Sequence, residues 1–143
     1  MTDQARQELI DGLNTDLAAE YQAIIFYNTA AQLMSGINRP ELKALFETEV
    51  QDELGHAELL AHKVVALGGE PATEPLPVQV GATNREHVEL ALKAEKDTIE
   101  RYHERVEQAE AAGETALKVR LEDLIADETE HKEEMEMILK ELS

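Results

Sequence analysis

Four long stretches of this chain repeat apolar residues at spacings of three and four, and each stripe is broken in mid-course by a carboxylate. In the first, Leu9, Leu13, Leu17, Glu20, Ile24, Tyr27, Ala31 and Met34 fall on one line. The second runs Leu42, Phe46, Glu49 or Val50, Glu53, His56, Leu60 and Leu67. The third is Val88, Leu92, Glu95, Ile99, Tyr102, Val106 and Ala109, and the fourth Leu117, Leu121, Leu124, Glu128, His131, Met135 and Ile138. That period is one face of a helix turned to a core. It predicts an all-α chain with helices near 3–34, 39–67, 84–111 and 114–142, forming one domain over 1–143, an antiparallel four-helix bundle.

The punctuation selects the topology. "SGINRP" (Ser35 to Pro40) stops one helix and starts the next, with Asn38 as the expected N-cap and Pro40 in the first turn. "AAGET" (Ala111 to Thr115) is a second short turn. Three of the four prolines lie between Gly68 and Asn84, the one long connection. Its length, about 15 residues, reaches roughly 50 Å at ~3.3 Å per residue, against roughly 42 Å for a helix of about 28 residues. The middle connection is therefore long enough to run the length of the bundle, giving two antiparallel hairpins joined by one long crossover between helices 2 and 3. A short turn with a floppy excursion fits the same length.

The acids in the stripes are the anomaly. Glu20, Glu53, Glu95 and Glu128 sit in line with the apolar seams, and His56 and His131 follow Glu53 and Glu128 by one turn. Buried carboxylates without partners are costly, and several together more so. Cations must neutralise them, or the core is wet. The string E-x-x-H is weak by itself: a chain this rich in Glu is expected to hold about one chance copy. A third copy, Glu100 to His103, leaves the seam and reads as surface.

The other two copies belong to a longer repeat. A shift of 75 positions carries Leu17, Ala19, Glu20, Ile24 and Tyr27 onto Leu92, Ala94, Glu95, Ile99 and Tyr102, and Asp52, Glu53 and His56 onto Asp127, Glu128 and His131. Two such hairpins about a pseudo-twofold axis bring four Glu and two His to one centre. A Glu from each of two helices with Glu-x-x-His from each of the other two is a dinuclear carboxylate metal pattern. Four carboxylates balance two dications, and one imidazole per ion suits iron, manganese or zinc. A symmetric bundle whose acids merely line a wet core is the competing account. It requires six coincident breaks of the binary pattern.

Composition narrows the alternatives. With 31 acids against 13 bases the net charge is −18, which disfavours nucleic acid and anionic membrane surfaces and attracts cations. There is no cysteine, hence no thiolate site and no disulfide. No apolar run approaches membrane-spanning length, and the start is unlike a signal peptide, so the expected location is the cytoplasm.

With these residues in place the chain resembles the ferritin-like superfamily, over nearly its whole length, and within it bacterioferritins and the di-iron domain of rubrerythrins. The resemblance implies Glu20, Glu53, His56, Glu95, Glu128 and His131 as metal ligands, with Glu53 and Glu128 bridging. It implies two metal ions per chain, foremost iron with manganese or zinc as options, and ferroxidase-type oxidation of Fe(II) by O2 or H2O2. Where bacterioferritins place a haem-ligating Met the chain has Leu54, so no haem is expected. The family's short fifth helix has no counterpart before Ser143, which argues against a 24-subunit storage cage; the expected assembly is a homo-oligomer, with a dimer favoured over a larger cage. The additional Glu that rubrerythrins carry one turn after the third-helix Glu is Thr98, and their four-cysteine iron module is missing, so electrons would come from outside.

Tyr27 and Tyr102 look like the tyrosines that hydrogen-bond ligand carboxylates in rubrerythrins; as plain core aromatics they would need only a satisfied hydroxyl. Asp52 and Asp127 resemble acids that orient a metal-bound imidazole on the partner helix, against a surface ion pair with Lys or Arg. Glu49 is placed at the rim of the seam, His62, His87 and His103 in solvent, and Met135 and Met137 in packing and surface positions. Iron storage in a larger assembly, or a rubrerythrin-like peroxidase fed by an external donor, are the alternative functions.

Overall fold

The computed structural model describes residues 1–142 as four α-helices. α1 spans Asp3–Leu33, α2 Arg39–Ala66, α3 Asn84–Ala111 and α4 Thr115–Leu139. Thr2 caps α1 by accepting from the Ala5 amide (3.0 Å), and Thr83 caps α3 by accepting from the Glu86 amide (3.1 Å). Glu86 reaches back to accept from the Ala82 amide at 2.7 Å, so orphan donors on both sides of the cap are satisfied. Asn38 stands at the N-cap of α2 but makes no side-chain cap bond. The amide of Asn84 instead closes that end of the bundle, its Oδ1 accepting from Ser35 N and its Nδ2 donating to Ser35 O.

Two helices end on glycine for a conformational reason. Gly68 and Gly113 have φ of 90° and 74°. Each is followed by an amide that bonds back to the last turn, Gly69 to Val64 and Glu114 to Ala109, both at 2.9 Å. A side chain at those φ values would be strained, so glycine ends α2 and α3 at the lowest cost. α4 stops short of the expected 142. From Lys140 and Glu141 the amides reach carbonyls three residues back, at 3.3 and 3.4 Å, a tighter turn than an α-helix makes.

Helix directions follow from the cross-helix contacts. Between α1 and α3, Asp16 meets Arg105, Glu20 meets Tyr102, Tyr27 meets Glu95 and Ser35 meets Asn84. As one chain ascends the other descends, so α1 and α3 are antiparallel. His56 with Asp127 and His131 with Asp52 establish the same for α2 and α4. The short turns make α1–α2 and α3–α4 antiparallel hairpins, so α2 and α3 run parallel and their connection spans the bundle. It lies along α1: Asn14 bonds Glu70 and Ala72, the Ala18 carbonyl accepts from Leu76, and Gln22 donates to Pro77. The crossover is a strap bonded to the outside of α1, not a floppy excursion. No helix among the described residues is long and apolar enough to cross a membrane.

The core is in two blocks. One gathers Leu9, Leu13, Leu17, Leu60, Val64, Leu117, Leu121 and Leu124. The other gathers Phe26, Tyr27, Met34, Leu42, Phe46, Val88 and Met135. Phe26, Tyr27 and Phe46 stack edge-on or tilted, with centroids 5.0 to 6.1 Å apart. At roughly 1.5–3 kcal/mol for each large apolar side chain removed from water, these blocks hold the bundle together. Between them, at mid-helix, lies a polar layer.

Candidate metal centre

All four helices contribute to that layer: α1 supplies Glu20, α2 Glu53 and His56, α3 Glu95, and α4 Glu128 and His131. The spacing of three puts each Glu and its His on one face of one helix, a turn apart. Glu20, Glu53, Glu95 and Glu128 are each at most 2% exposed. Their oxygens, joined by those of Glu49 from α2, and the histidine nitrogens fall into two groups, Glu20–Glu53–His56–Glu128 and Glu49–Glu53–Glu95–His131, the side-chain atoms in each lying within 4.8 Å of one another.

The orientation of each carboxylate is informative. Glu53 turns Oε2 to His56 Nδ1 and Oε1 to His131 Nδ1, both at 3.7 Å. Glu128 does likewise, with Oε1 at 2.9 Å from His56 Nδ1 and Oε2 at 3.8 Å from His131 Nδ1. Glu20 and Glu95 each face one histidine only, at 3.9 and 3.8 Å. Their other contacts are to tyrosines. Tyr27 donates its hydroxyl to Glu95 Oε1 at 2.5 Å, and Tyr102 donates to Glu20 Oε1. Both tyrosines are fully buried, so each hydroxyl is committed to its carboxylate. On the outer edge of the rings, His56 Nε2 meets Asp127 Oδ2 at 3.3 Å and His131 Nε2 meets Asp52 Oδ2 at 3.2 Å. The two aspartates are half-exposed and stand between the imidazoles and solvent.

Seven buried atoms of this layer make no well-formed hydrogen bond: Glu20 Oε2, Glu49 Oε2, Glu53 Oε1, Glu95 Oε2, Glu128 Oε1 and Nδ1 of both histidines. Unpartnered buried polar atoms are rare and costly. Here they converge, and every one is an oxygen or an imidazole nitrogen, the donor set of a divalent first-row metal. The residues fit a pair of such ions.

The electrostatics point the same way. Burial pushes Glu53 well above the ordinary carboxyl range, and the charges of Glu20 and Glu128 add to it. Burial likewise raises Glu20. Burial also opposes charge on Glu128, yet the facing imidazoles of His131 and His56 outweigh it and hold that carboxyl down to about 2. Burial works against charge on the imidazoles too, and is again outweighed. Glu128, Glu20 and Asp127 carry His56 up to about 9, and Glu128 and Glu49 carry His131 up to about 10. The layer is a field of excess negative charge that holds protons for want of stronger cations.

Three features differ from the sequence-based expectations or lay outside them. Glu49, expected at the rim, is 3% exposed and faces His131 Nδ1 with Oε2 at 2.8 Å. It sits one turn before Glu53, and the helical period allows either Glu49 or Val50 to face inward; packing against α4 selects Glu49. His87, expected in solvent, is 1% exposed, its Nε2 facing the Gly81 carbonyl at 3.0 Å, because the crossover folds back over it. A buried ion pair, Asp16 with Arg105, joins α1 to α3 one turn from Glu20 and three residues from Tyr102. Asp16 lies four before Glu20, a spacing that marks the same face, but its partner is visible only once α3 is docked. Glu100, His62 and His103 are exposed, Leu54 is half-exposed, and Thr98 is buried with its hydroxyl accepting from Arg101. Met135 is buried and Met137 exposed.

Comparison with known proteins agrees with this arrangement. Residues 10–143 match the ferritin-like domain family. A ferritin-like, diiron-carboxylate protein from Bacillus anthracis superposes with a TM-score of 0.94 at 51% identity, covering 97% of this chain and 99% of that one. The Desulfovibrio desulfuricans bacterioferritin superposes with a TM-score of 0.87 at 28% identity, covering 96% and 81%. In sequence, a bacterioferritin of Streptomyces coelicolor is 30% identical over 134 residues, 93% of this chain and 80% of its own length. The chain belongs to the ferritin-like domain family, close to the bacterioferritins, and its two carboxylate–histidine groups are of the kind that ferroxidase-type di-iron oxidoreductases use.

Proposed function

We propose, on the premise of that membership, that this chain binds two iron ions and oxidises Fe(II) with dioxygen or hydrogen peroxide. The observation that carries the reading is the pose of Glu53 and Glu128, each presenting one oxygen to each histidine. In this reading Glu53 and Glu128 would be shared by the two ions, Glu20 and His56 would help hold one of them, and Glu95 and His131 the other. Manganese or zinc could be held by the same donors.

A bound iron pair would supply two one-electron oxidations at one place, matched to a two-electron oxidant. The overall change balances: two Fe(II) lose one electron each, and H2O2 with two protons leaves as two waters, or O2 with two protons as H2O2. The protein's part is to bind and orient. Tyr102 and Tyr27 hold one oxygen of Glu20 and Glu95, leaving the other free to coordinate. Asp127 and Asp52 hold Nε2 of the imidazoles, so Nδ1 faces inward. The two apolar blocks exclude water from above and below. The net charge of −18 raises the local concentration of Fe(II).

Anaerobic loading with Fe(II) followed by oxidant tests this. About two irons per chain and oxidation faster than in buffer alone are expected; fewer than about one metal ion per chain after loading sinks the reading. Storage within a larger assembly is the second reading, supported by the likeness to bacterioferritins. A cytoplasmic homodimer is the assembly proposed here, and sedimentation with and without an iron load separates it from a mineral-filled cage.

A further inference from the structure

The two halves of the centre are not equivalent, and among the groups that face the histidine Nδ1 atoms the unmatched one is Glu49. We propose that Glu49 is a seventh ligand, a terminal carboxylate on the His131 side that makes this the tighter of the two metal positions. The inference rests on the dinuclear reading above and extends it to a residue outside the duplicated set.

Symmetry isolates the residue. Each of the six repeated side chains has a mate 75 positions away, whereas the mate of Glu49 is Leu124. Leu124 is 4% exposed and belongs to the apolar block, so an aliphatic side chain fits this place in the bundle. Glu49 is as deeply buried, and its Oε2 makes no well-formed hydrogen bond. A carboxylate costs more there than a leucine unless a cation meets it.

Geometry shows where that cation would sit. His131 Nε2 is engaged with Asp52, so Nδ1 is the inward atom, and its nearest carboxylate oxygen is Glu49 Oε2 at 2.8 Å. On the other side, His56 Nδ1 has Glu128 Oε1 nearest, at 2.9 Å. The contact related to that one by the repeat, Glu53 Oε1 to His131 Nδ1, is opened to 3.7 Å. Glu49 has taken the near place. Oε2 and Nδ1 therefore address one point, which can hold a shared proton or a metal ion but not both. With four carboxylates already balancing two dications, the added carboxylate leaves the His131 side the more anionic, and a dication there is held more strongly.

Calorimetric titration of the whole, metal-stripped chain with Co(II) tests this, using Glu49→Gln, which keeps the shape, and Glu49→Leu, which restores the residue found at 124. For the wild type, two Co(II) should bind in resolved steps. In both variants the tighter step should weaken by about tenfold or more while the weaker step holds. Metal-free Glu49→Leu should also unfold at higher temperature than the wild type. Two Co(II) bound by Glu49→Gln with both affinities within about twofold of wild type overturns the proposal while leaving the dinuclear reading intact. A wild-type chain that takes up no Co(II) overturns both.

Discussion

Asp16 and Arg105 form a two-point ion pair between α1 and α3, Nε to Oδ2 at 2.7 Å and Nη2 to Oδ1 at 3.1 Å. Both are at most 5% exposed. The pair has no counterpart in the other half, where the repeat places Ala91 and Ala30. It crosses the same two helices as the Tyr102–Glu20 hydrogen bond, one turn away. Gly12 makes room for it, since a Cβ there would lie 2.0 Å from Arg105 Nη1. Asp16→Ala should cost about 3–5 kcal/mol in urea unfolding because it strands a buried guanidinium, whereas Asp16→Leu with Arg105→Met should be near neutral. A loss below about 1 kcal/mol for Asp16→Ala would mean that the guanidinium finds water or another partner.

Removing the Tyr102 or Tyr27 hydroxyl with Phe keeps the ring and deletes one hydrogen bond to the Glu20 or Glu95 carboxylate. Each variant should lose about 1–3 kcal/mol as the metal-free protein, the cost of an orphaned buried acceptor. Tyr102→Phe should weaken metal binding on the His56 side and Tyr27→Phe on the His131 side. Equal effects of both variants on both positions would contradict the assignment of Glu20 and Glu95 to separate ions.

Asp127 and Asp52 act across the α2–α4 interface, each on the other helix's histidine. Asp127→Asn and Asp52→Asn should lower metal affinity by about 10- to 100-fold, each at its own position. Titration with Co(II) separates the two. Glu100→Ala and His103→Ala remove the surface copy of the motif. They should leave metal content unchanged and stability within about 0.5 kcal/mol.

The metal-free chain should become less stable as pH rises. His56 and His131, lifted from 6.5 to about 9 and about 10, contribute stability that is complete below 6.5 and is lost as pH climbs through those values. Glu20, Glu49 and Glu53, raised by burial, act in the same sense from their ordinary 4.5 upward. Glu128 acts oppositely: its contribution is present above 4.5 and is lost as pH falls through about 2. Thermal unfolding in chelator should therefore show a Tm that falls from mildly acidic to alkaline pH. A saturating divalent ion should flatten the slope and add about 2.7 kcal/mol at a hundred times its Kd. A chelated chain whose Tm rises over that range would contradict the buried-carboxylate account.

The helices and the duplicated set of inward-facing Glu and His residues were legible in the sequence because both are local or repeated. A stripe of apolar residues at three and four specifies the inward face of a helix without knowledge of its partner. A Glu on that stripe must be explained by whatever fills the core. The expectation that E-x-x-H at Glu100 belongs to the surface followed from the same geometry. What only the tertiary structure decided concerns small rotations and partners across helices. Glu49 and Val50 differ by ~100° about the axis of α2, and both border the seam; docking against His131 turned Glu49 inward. Asp16 found Arg105, and each aspartate the opposite histidine, through a register set by the packing of two apolar blocks. The strap over α1 buried His87, which its own helical period had left in solvent. Period and repeat are written along one chain, whereas the rotation of each helix against its neighbours is settled by all four packing at once.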